Sequence, residues 1–112
     1  MMSDYPKRGD IYWVRLDPTE GSEIKKTRPC VVISNNSQNK KNLRLIVVPI
    51  TSKIKTVYPF EALLVIKGRQ CKALIDQIRS IDHRRLGSRV VALEMEDILQ
   101  IESALKVALD LK

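Results

Sequence analysis

The sequence is poor in the residues that build metal centres and aromatic binding platforms. It has one histidine, His83, and two cysteines, Cys30 and Cys71, which cannot form a Cys/His zinc site within one chain. Aromatic residues make up only 4% of the chain, so tight binding by stacking many nucleobases is not expected. The cysteine content predicts a cytoplasmic protein with reduced thiols. We therefore expect neither a metal nor another cofactor.

Long hydrophobic runs are also missing. The longest apolar stretches are far shorter than a membrane span, and residues 1–10 lack the apolar core of a secretory signal. Hydrophobic residues nevertheless make up 44% and charged residues 29%, which is typical of folded globular proteins. At 112 residues the chain has the size of one domain, which we expect to span residues 1–112.

Charge is distributed unevenly along the chain. The net charge is +7, yet residues 94–112 contain five acids and two bases, so residues 1–93 carry a net +10. Such an excess indicates a polyanionic partner or simply favours solubility. Charge alone does not distinguish DNA, RNA or an acidic protein.

The hydrophobic pattern predicts a mainly β protein with a C-terminal helix. Short β-rich runs recur between polar segments, which is typical of a small barrel or sandwich. From Glu94 to about Leu111 the apolar spacing becomes helical, with an apolar stripe wider than one face and no good N-cap residue. Residues 35–42 are expected to form a loop with one helical turn. The predicted strands cover residues 11–16, 30–34, 43–50, 62–66, 73–81 and 89–93.

Two polar segments after predicted strands are the candidate functional loops. Residues 17–28 are long for a connection between strands, and Pro29 restricts Arg28 to an extended conformation. Pro49 predicts a sheet edge or bulge, after which Thr51 and Ser52 leave the sheet with hydroxyls able to meet a ligand. Taken alone, these residues favour a simpler interpretation: an exposed arginine and hydroxyls that satisfy the turn.

The motifs in their order along the chain resemble the MazF/PemK toxin family over nearly the whole sequence. Any one motif is weak evidence, whereas the ordered set is fairly specific. The motifs are Arg8-Gly9-Asp10-Ile11-Tyr12-Trp13-Val14, Asp17-Pro18, Gly21-Ser22-Glu23, Thr27-Arg28-Pro29, Val31-Val32-Ile33-Ser34, Pro49-Ile50-Thr51-Ser52, Pro59-Phe60-Glu61, Asp76-Gln77-Ile78-Arg79-Ser80-Ile81-Asp82 and Arg85-Leu86.

The resemblance implies an SH3-like barrel of the CcdB/PemK-like plasmid toxin type with a C-terminal helix, for which we expect five to six strands. It also implies a homodimer that acts as a ribosome-independent endoribonuclease, cuts single-stranded RNA at short sequences and is neutralised by a cognate MazE-like antitoxin. The lack of metal-binding residues predicts that this cleavage needs no metal. The helix's wide apolar stripe agrees with a dimer, because that surface must be covered.

The resemblance also implies site residues. Arg28 and Thr51 take the positions of the two catalytic residues and should meet at one groove. Ser22 and Glu23 are expected at the RNA-binding site, with Asp76 and Gln77 near the same groove. Neighbouring residues that could contact phosphates, or simply be solvated, are Lys25, Lys26, Ser52 and Lys53.

These residue types suit cleavage by the 2′-hydroxyl of RNA. Arg28 can neutralise phosphate charge through paired hydrogen bonds, and Thr51 can donate to a non-bridging oxygen. Arginine is a poor general base because its pKa lies above about 12. Glu23, the substrate and water all stay open as the base.

Two alternative functions remain open from the sequence. One is a gyrase poison resembling CcdB, but those toxins end in Trp-Gly-Ile, whereas this chain ends Ala108-Leu109-Asp110-Leu111-Lys112 and has its one tryptophan at position 13. The other is a non-catalytic SH3-like RNA-binding module. Cleavage of RNA would separate that module from a nuclease.

Overall fold

A computed structural model describes residues 5–41 and 43–112. Two single-turn 3-10 helices, Ile75–Gln77 and His83–Arg85, interrupt the second half of the chain. In chain order, the strands and α-helices are β1 (Asp10–Arg15), β2 (Thr27–Val32), α1 (Asn36–Lys41), β3 (Arg44–Thr51), β4 (Ala62–Ile66), β5 (Arg69–Ala73), β6 (Arg79–Asp82), β7 (Leu86–Ala92) and α2 (Met95–Ala108).

All strand pairs are antiparallel and form one curled sheet in the order β4-β5-β3-β2-β1-β7. β3 is shared, because its residues 44–47 pair with β6 and its residues 50–51 pair with β5. Pro49 lies between these two stretches, opposite Cys30 of β2. Since proline has no amide hydrogen, it suits the point where the strand changes partners. Pro49, expected at a sheet edge or bulge, is instead buried within β3 and in register with β2, at the point where the other edge of β3 changes partner.

Alternating side chains of the central strands enter two different cores. Val31, Val48 and Ile50 belong to a core that includes Ile101 and Ala104 of α2. Cys30, Val32 and Val47 point to the other side and pack with residues of β1 and β6. Both faces of β2 and β3 are therefore buried, which explains their nearly continuous apolar sequences. Cys30 and Cys71 are free thiols, and both are packed inside these cores.

The predicted mainly β architecture with a C-terminal helix is confirmed, but two details were wrong. The run 73–81 is not one strand: β5 ends at Ala73, a 3-10 turn follows at Ile75–Gln77, and β6 begins at Arg79. Across the described residues the sheet also has seven strands, where five to six were expected. The strand that the sequence did not predict is β5, because its sequence is largely polar. Lys67 and Gly68 both have positive φ, 52° and 77°, and form the two-residue turn of the β4–β5 hairpin.

Helix α2 begins after Glu94, whose side chain makes no capping hydrogen bond, in agreement with the weak N-terminal signal. Ile101 and Ala104 are buried, whereas Met95, Leu99 and Val107 remain exposed. Within residues 5–41 and 43–112, no helix is long and apolar enough to cross a membrane.

Candidate active site

Arg28 and Thr51 line the same cavity, although they are 23 positions apart in the sequence. This cavity, here called the Arg28 cavity, has a volume of about 440 Å³ and lies between the start of β2, the end of β3 and the β4–β5 hairpin. Most of its wall is hydrocarbon, and Ser52 also lies on it. The convergence expected from the sequence is therefore present. The wall includes Trp13, Pro29, Ile50, Ile66 and Val90.

Local contacts hold both polar side chains in place. The Arg28 Nε donates a hydrogen bond to the Lys25 carbonyl at 3.1 Å, which steadies the guanidinium while its terminal nitrogens make no hydrogen bond within the described residues. The Thr51 Oγ1 accepts a hydrogen bond from the Lys53 amide at 3.2 Å. Because the hydroxyl oxygen accepts this bond, the hydroxyl hydrogen remains able to donate to a ligand. The cavity wall thus presents both a cation and a hydroxyl donor.

Only positive charge lines the Arg28 cavity. Arg28 and Arg69 are its charged residues, and no carboxylate or imidazole of the described residues lies on its wall. Cys71 also contacts the cavity, but burial raises the pKa of its thiol and keeps it protonated. The cavity is therefore suited to binding an anion and stabilising added negative charge, rather than to removing a proton.

A second cavity gathers four of the predicted RNA-binding residues. Here called the Asp76 cavity, it has a volume of about 490 Å³ and is lined by Ser22, Glu23, Asp76 and Gln77, among others. The 3-10 turn after β5 brings the last two residues against the β1–β2 loop. The structure thus brings together residues that are more than 50 positions apart in the sequence.

Hydrogen bonds order the loop that forms one wall of the Asp76 cavity. The Gln77 Oε1 accepts a hydrogen bond from the Ile24 amide at 2.8 Å, so the Gln77 side chain joins the 3-10 turn to the loop. The Glu23 Oε1 accepts from the Glu20 amide at 2.6 Å, which closes the turn around Gly21. Glu23 is therefore engaged in loop structure and does not line the Arg28 cavity.

The two cavities meet the same strand at consecutive residues. Pro49 lines the Asp76 cavity, whereas Ile50 and Thr51 line the Arg28 cavity. A chain-like ligand could therefore place one unit in each cavity. The predicted phosphate contacts are more scattered: Lys25, Lys26 and Lys53 are exposed near these cavities but line neither of them.

Comparison with known proteins decides the family. The family model described as the PemK-like, MazF-like toxin of type II toxin-antitoxin systems matches residues 7–109. The chain belongs to this toxin family.

Its relatives match over nearly their full length. The toxin is 44% identical over 114 residues to "Endoribonuclease MazF9" of Mycobacterium tuberculosis, covering 94% of this chain and 97% of the relative. It is 40% identical over 105 residues to "Endoribonuclease toxin MazF" of Escherichia coli, covering 93% and 94%. The crystal structure of MazF from Deinococcus radiodurans superposes with a TM-score of 0.84 at 28% identity, covering 96% of this chain and 98% of that chain.

The structure adds cavity residues of the toxin that sequence reasoning missed. Arg69 and Gln70 line the Arg28 cavity because the β4–β5 hairpin folds back beside β3. The sequence signal that could have predicted this hairpin is Gly68, which permits the tight turn between Ile66 and Arg69. Trp13 is 43% exposed at the cavity and lies between Tyr12 and Val14, where the β1–β7 register shifts. Its side chain forms part of the wall of the Arg28 cavity.

Proposed function

We propose that this toxin is an endoribonuclease that cleaves single-stranded RNA through attack by the substrate's own 2′-hydroxyl. The observation that carries the proposal is the convergence of Arg28 and Thr51 in a cavity whose charges are all positive. Family membership and the relatives named as endoribonucleases support it. Since RNA supplies the nucleophile, the reaction needs no metal-bound hydroxide.

In this mechanism the 2′-oxygen forms a bond to phosphorus while the bond to the 5′-oxygen breaks. Negative charge accumulates on the non-bridging oxygens, and the Arg28 guanidinium binds and stabilises it. The Thr51 hydroxyl donates a further hydrogen bond to one of these oxygens. The products are a 2′,3′-cyclic phosphate and a free 5′-hydroxyl.

Removal of the 2′-hydroxyl proton is assigned to groups outside the wall of the Arg28 cavity. Because no carboxylate of the described residues lines this cavity, the 2′-hydroxyl proton passes to water or to a substrate oxygen. Glu23, the remaining sequence candidate for the base, holds the Glu20 amide in the neighbouring loop. The 5′-oxygen takes a proton from Arg28 or from water.

The Asp76 cavity is assigned to recognition of a base next to the cleaved phosphate. Its carboxylates accept hydrogen bonds from base amino groups, and Ser22 and Gln77 offer both donors and acceptors. Such contacts to base edges provide sequence specificity, whereas the basic surface binds phosphates without regard to sequence. Lys25, Lys26, Ser52 and Lys53 are proposed as the surrounding backbone contacts.

The partners follow from charge and from exposed apolar surface. We propose a homodimer in the cytoplasm, because α2 leaves Met95, Leu99 and Val107 exposed. A cognate MazE-like antitoxin would place an acidic, largely disordered segment over the basic surface of the toxin. Sedimentation at micromolar concentration tests the dimer, and a stable monomer would disprove it.

The decisive experiment uses one RNA in two forms. The purified protein is incubated in EDTA with a long RNA to map the cleaved site, and then with a short substrate that carries one deoxynucleotide just 5′ of the scissile phosphate. We expect cleavage of the all-ribose RNA, and binding without cleavage of the substituted RNA. Ready cleavage of the substituted RNA would instead indicate attack by water. Binding of both without cleavage would identify a non-catalytic RNA-binding module.

A further inference from the structure

A buried ion pair lies next to the proposed catalytic threonine. Lys72 of β5 and Glu61 before β4 have side chains only 11% and 7% exposed, and their Nζ and Oε1 atoms are 2.8 Å apart. Of the five ion pairs between described residues, it is the only one in which both side chains are this deeply buried. Neither residue lines the two cavities.

The pair fixes the loop that follows Thr51. The Lys72 Nζ also donates a hydrogen bond to the Thr56 carbonyl at 2.6 Å, and the Glu61 Oε1 accepts one from the Tyr58 amide at 3.0 Å. The ion pair thus holds residues 52–61 at three positions, Thr56, Tyr58 and Glu61. Most side chains of this loop are exposed, so apolar burial contributes little to its order.

Lys72 is also the direct cross-strand neighbour of Thr51. The two residues are paired in the β3–β5 ladder. Directly opposed residues in an antiparallel pair share one face of the sheet, with Cβ atoms about 5 Å apart. The residue that anchors the loop is therefore adjacent to the hydroxyl that the loop must position. The Lys53 amide, which donates to the Thr51 Oγ1, belongs to the same loop.

A buried ion pair is weak evidence for stability. Desolvation of both charges offsets most of their attraction, and apolar replacements of such pairs are often neutral or stabilising. The loop contacts offer a more specific role than stability.

We propose that Lys72 and Glu61 are positioning residues that hold loop 52–61, and through it the Thr51 hydroxyl, in the geometry that RNA cleavage requires. The inference rests on the proposed function. It adds to the proposed catalytic site two supporting residues that line neither cavity.

The test removes both charges together, because loss of one partner would leave an unpaired buried charge and could unfold the protein. The variant Lys72→Met/Glu61→Gln conserves side-chain volume and leaves an amide oxygen for the Tyr58 amide. The matched control is Arg8→Met/Glu102→Gln, which removes a more exposed pair, 31% and 42% exposed, that connects the N-terminal segment to α2.

Hydrogen exchange provides a readout that does not depend on catalysis. In the Lys72→Met/Glu61→Gln variant we expect amide exchange in loop 52–61 to accelerate by about tenfold, with α2 unchanged, because local opening is governed by local contacts. The control variant should leave the loop's exchange at the wild-type rate. Exchange of the loop at the wild-type rate in the Lys72→Met/Glu61→Gln variant would overturn the proposal.

Single-turnover cleavage then separates positioning from general structure. We expect the charge-removal variant to cleave up to about tenfold more slowly, no more than loss of the Thr51 hydroxyl itself, with RNA affinity nearly unchanged. In the Thr51→Ala background the same two changes should slow cleavage by less than about 3-fold, because coupled residues are non-additive. Equal slowing in both backgrounds would show that the pair does not act through Thr51. Failure of the wild-type chain to cleave RNA would refute the proposed function itself, while the exchange measurement would still report whether the pair holds the loop.

Discussion

The two cavities are similar in volume but differ in chemistry. The Arg28 cavity has mostly hydrocarbon walls and only positive charge, whereas the Asp76 cavity carries two carboxylates, an amide and the Arg79 guanidinium. Electrostatic stabilisation of a phosphorane is stronger where water is displaced by apolar walls, and an arginine there faces no competing carboxylate. Base recognition has the opposite requirement, because it needs acceptors for the amino groups of the bases.

The cavities also differ in how they are assembled. The Arg28 cavity depends on strands and on a two-residue hairpin, which are held by ladder hydrogen bonds. The Asp76 cavity depends on a loop and a 3-10 turn joined by the Gln77–Ile24 hydrogen bond. Loops change sequence more freely than strands. This arrangement allows the proposed base recognition to vary while the proposed chemistry remains fixed.

The largest expected effect is that of Arg28→Ala. Cleavage should fall by about 10² or more, because the guanidinium that stabilises the negative charge of the phosphorane is lost. Arg28→Lys should recover only part of the rate, since lysine keeps the charge but not the paired geometry. Single-turnover rates measure both. Arg84→Ala is the control, because Arg84 is highly exposed and lies in neither cavity. A control loss as large as that of Arg28→Ala would mean that only overall charge matters.

Thr51→Ala should have the next largest effect. Loss of one hydrogen bond to the reacting phosphate corresponds to about a tenfold slower reaction. RNA binding should be largely kept, and Thr51→Ser should restore most of the rate because the hydroxyl is retained. Rates and equilibrium binding of the deoxy-substituted RNA measure the two effects separately. If Thr51→Ala loses affinity but not rate, Thr51 belongs to binding and the division between the cavities breaks down.

Changes in the Asp76 cavity should alter substrate choice more than rate. Asp76→Asn replaces a pure acceptor by a group that also donates, so it should shift the preferred cleavage sequence and change KM by about 3- to 10-fold. Gln77→Ala should also loosen the loop at Ile24. Cleavage-site mapping on a random-sequence RNA pool measures the shift. An unchanged sequence preference with a large fall in kcat would assign this cavity to chemistry.

The smallest effect is expected for a residue outside both cavities. Hydrogen bonds from the Arg84 side chain and amide hold the pKa of Asp82 at about 2, below the unfolded value of 3.8. A lowered carboxyl pKa contributes stability that is present above about pH 4 and is lost as the pH falls towards 2.

Asp82→Asn should therefore lower Tm by about 1–2 °C near neutral pH, with the difference shrinking at acid pH, because this pair is exposed. Thermal unfolding monitored by circular dichroism from pH 2 to 7 measures it, and cleavage should be unchanged. A Tm difference that persists at pH 2 would assign the effect to the 3-10 turn instead of to charge.

Much of the fold was predictable from local patterns. The periodicity of β1, β3, β4 and α2 is strong, because one or both faces of each are buried in the cores. β5 was missed because its sequence, Arg69–Ala73, is largely polar and becomes a strand through pairing with β3 and β4. The run 73–81 was read as one strand because apolar residues continue through the 3-10 turn at Ile75–Gln77.

The candidate site likewise has features that the sequence predicted and features that it did not. The sequence by itself determined the residue types, the motif order and the extended backbone of Arg28 before Pro29. Only the tertiary structure decided that Arg28 and Thr51 share a cavity, that Glu23 closes a turn elsewhere, and that Lys72 lies opposite Thr51. The physical reason is that propensity and periodicity act over a few residues. Cavities and buried ion pairs depend on how a shared strand such as β3 bends and which partners it pairs with.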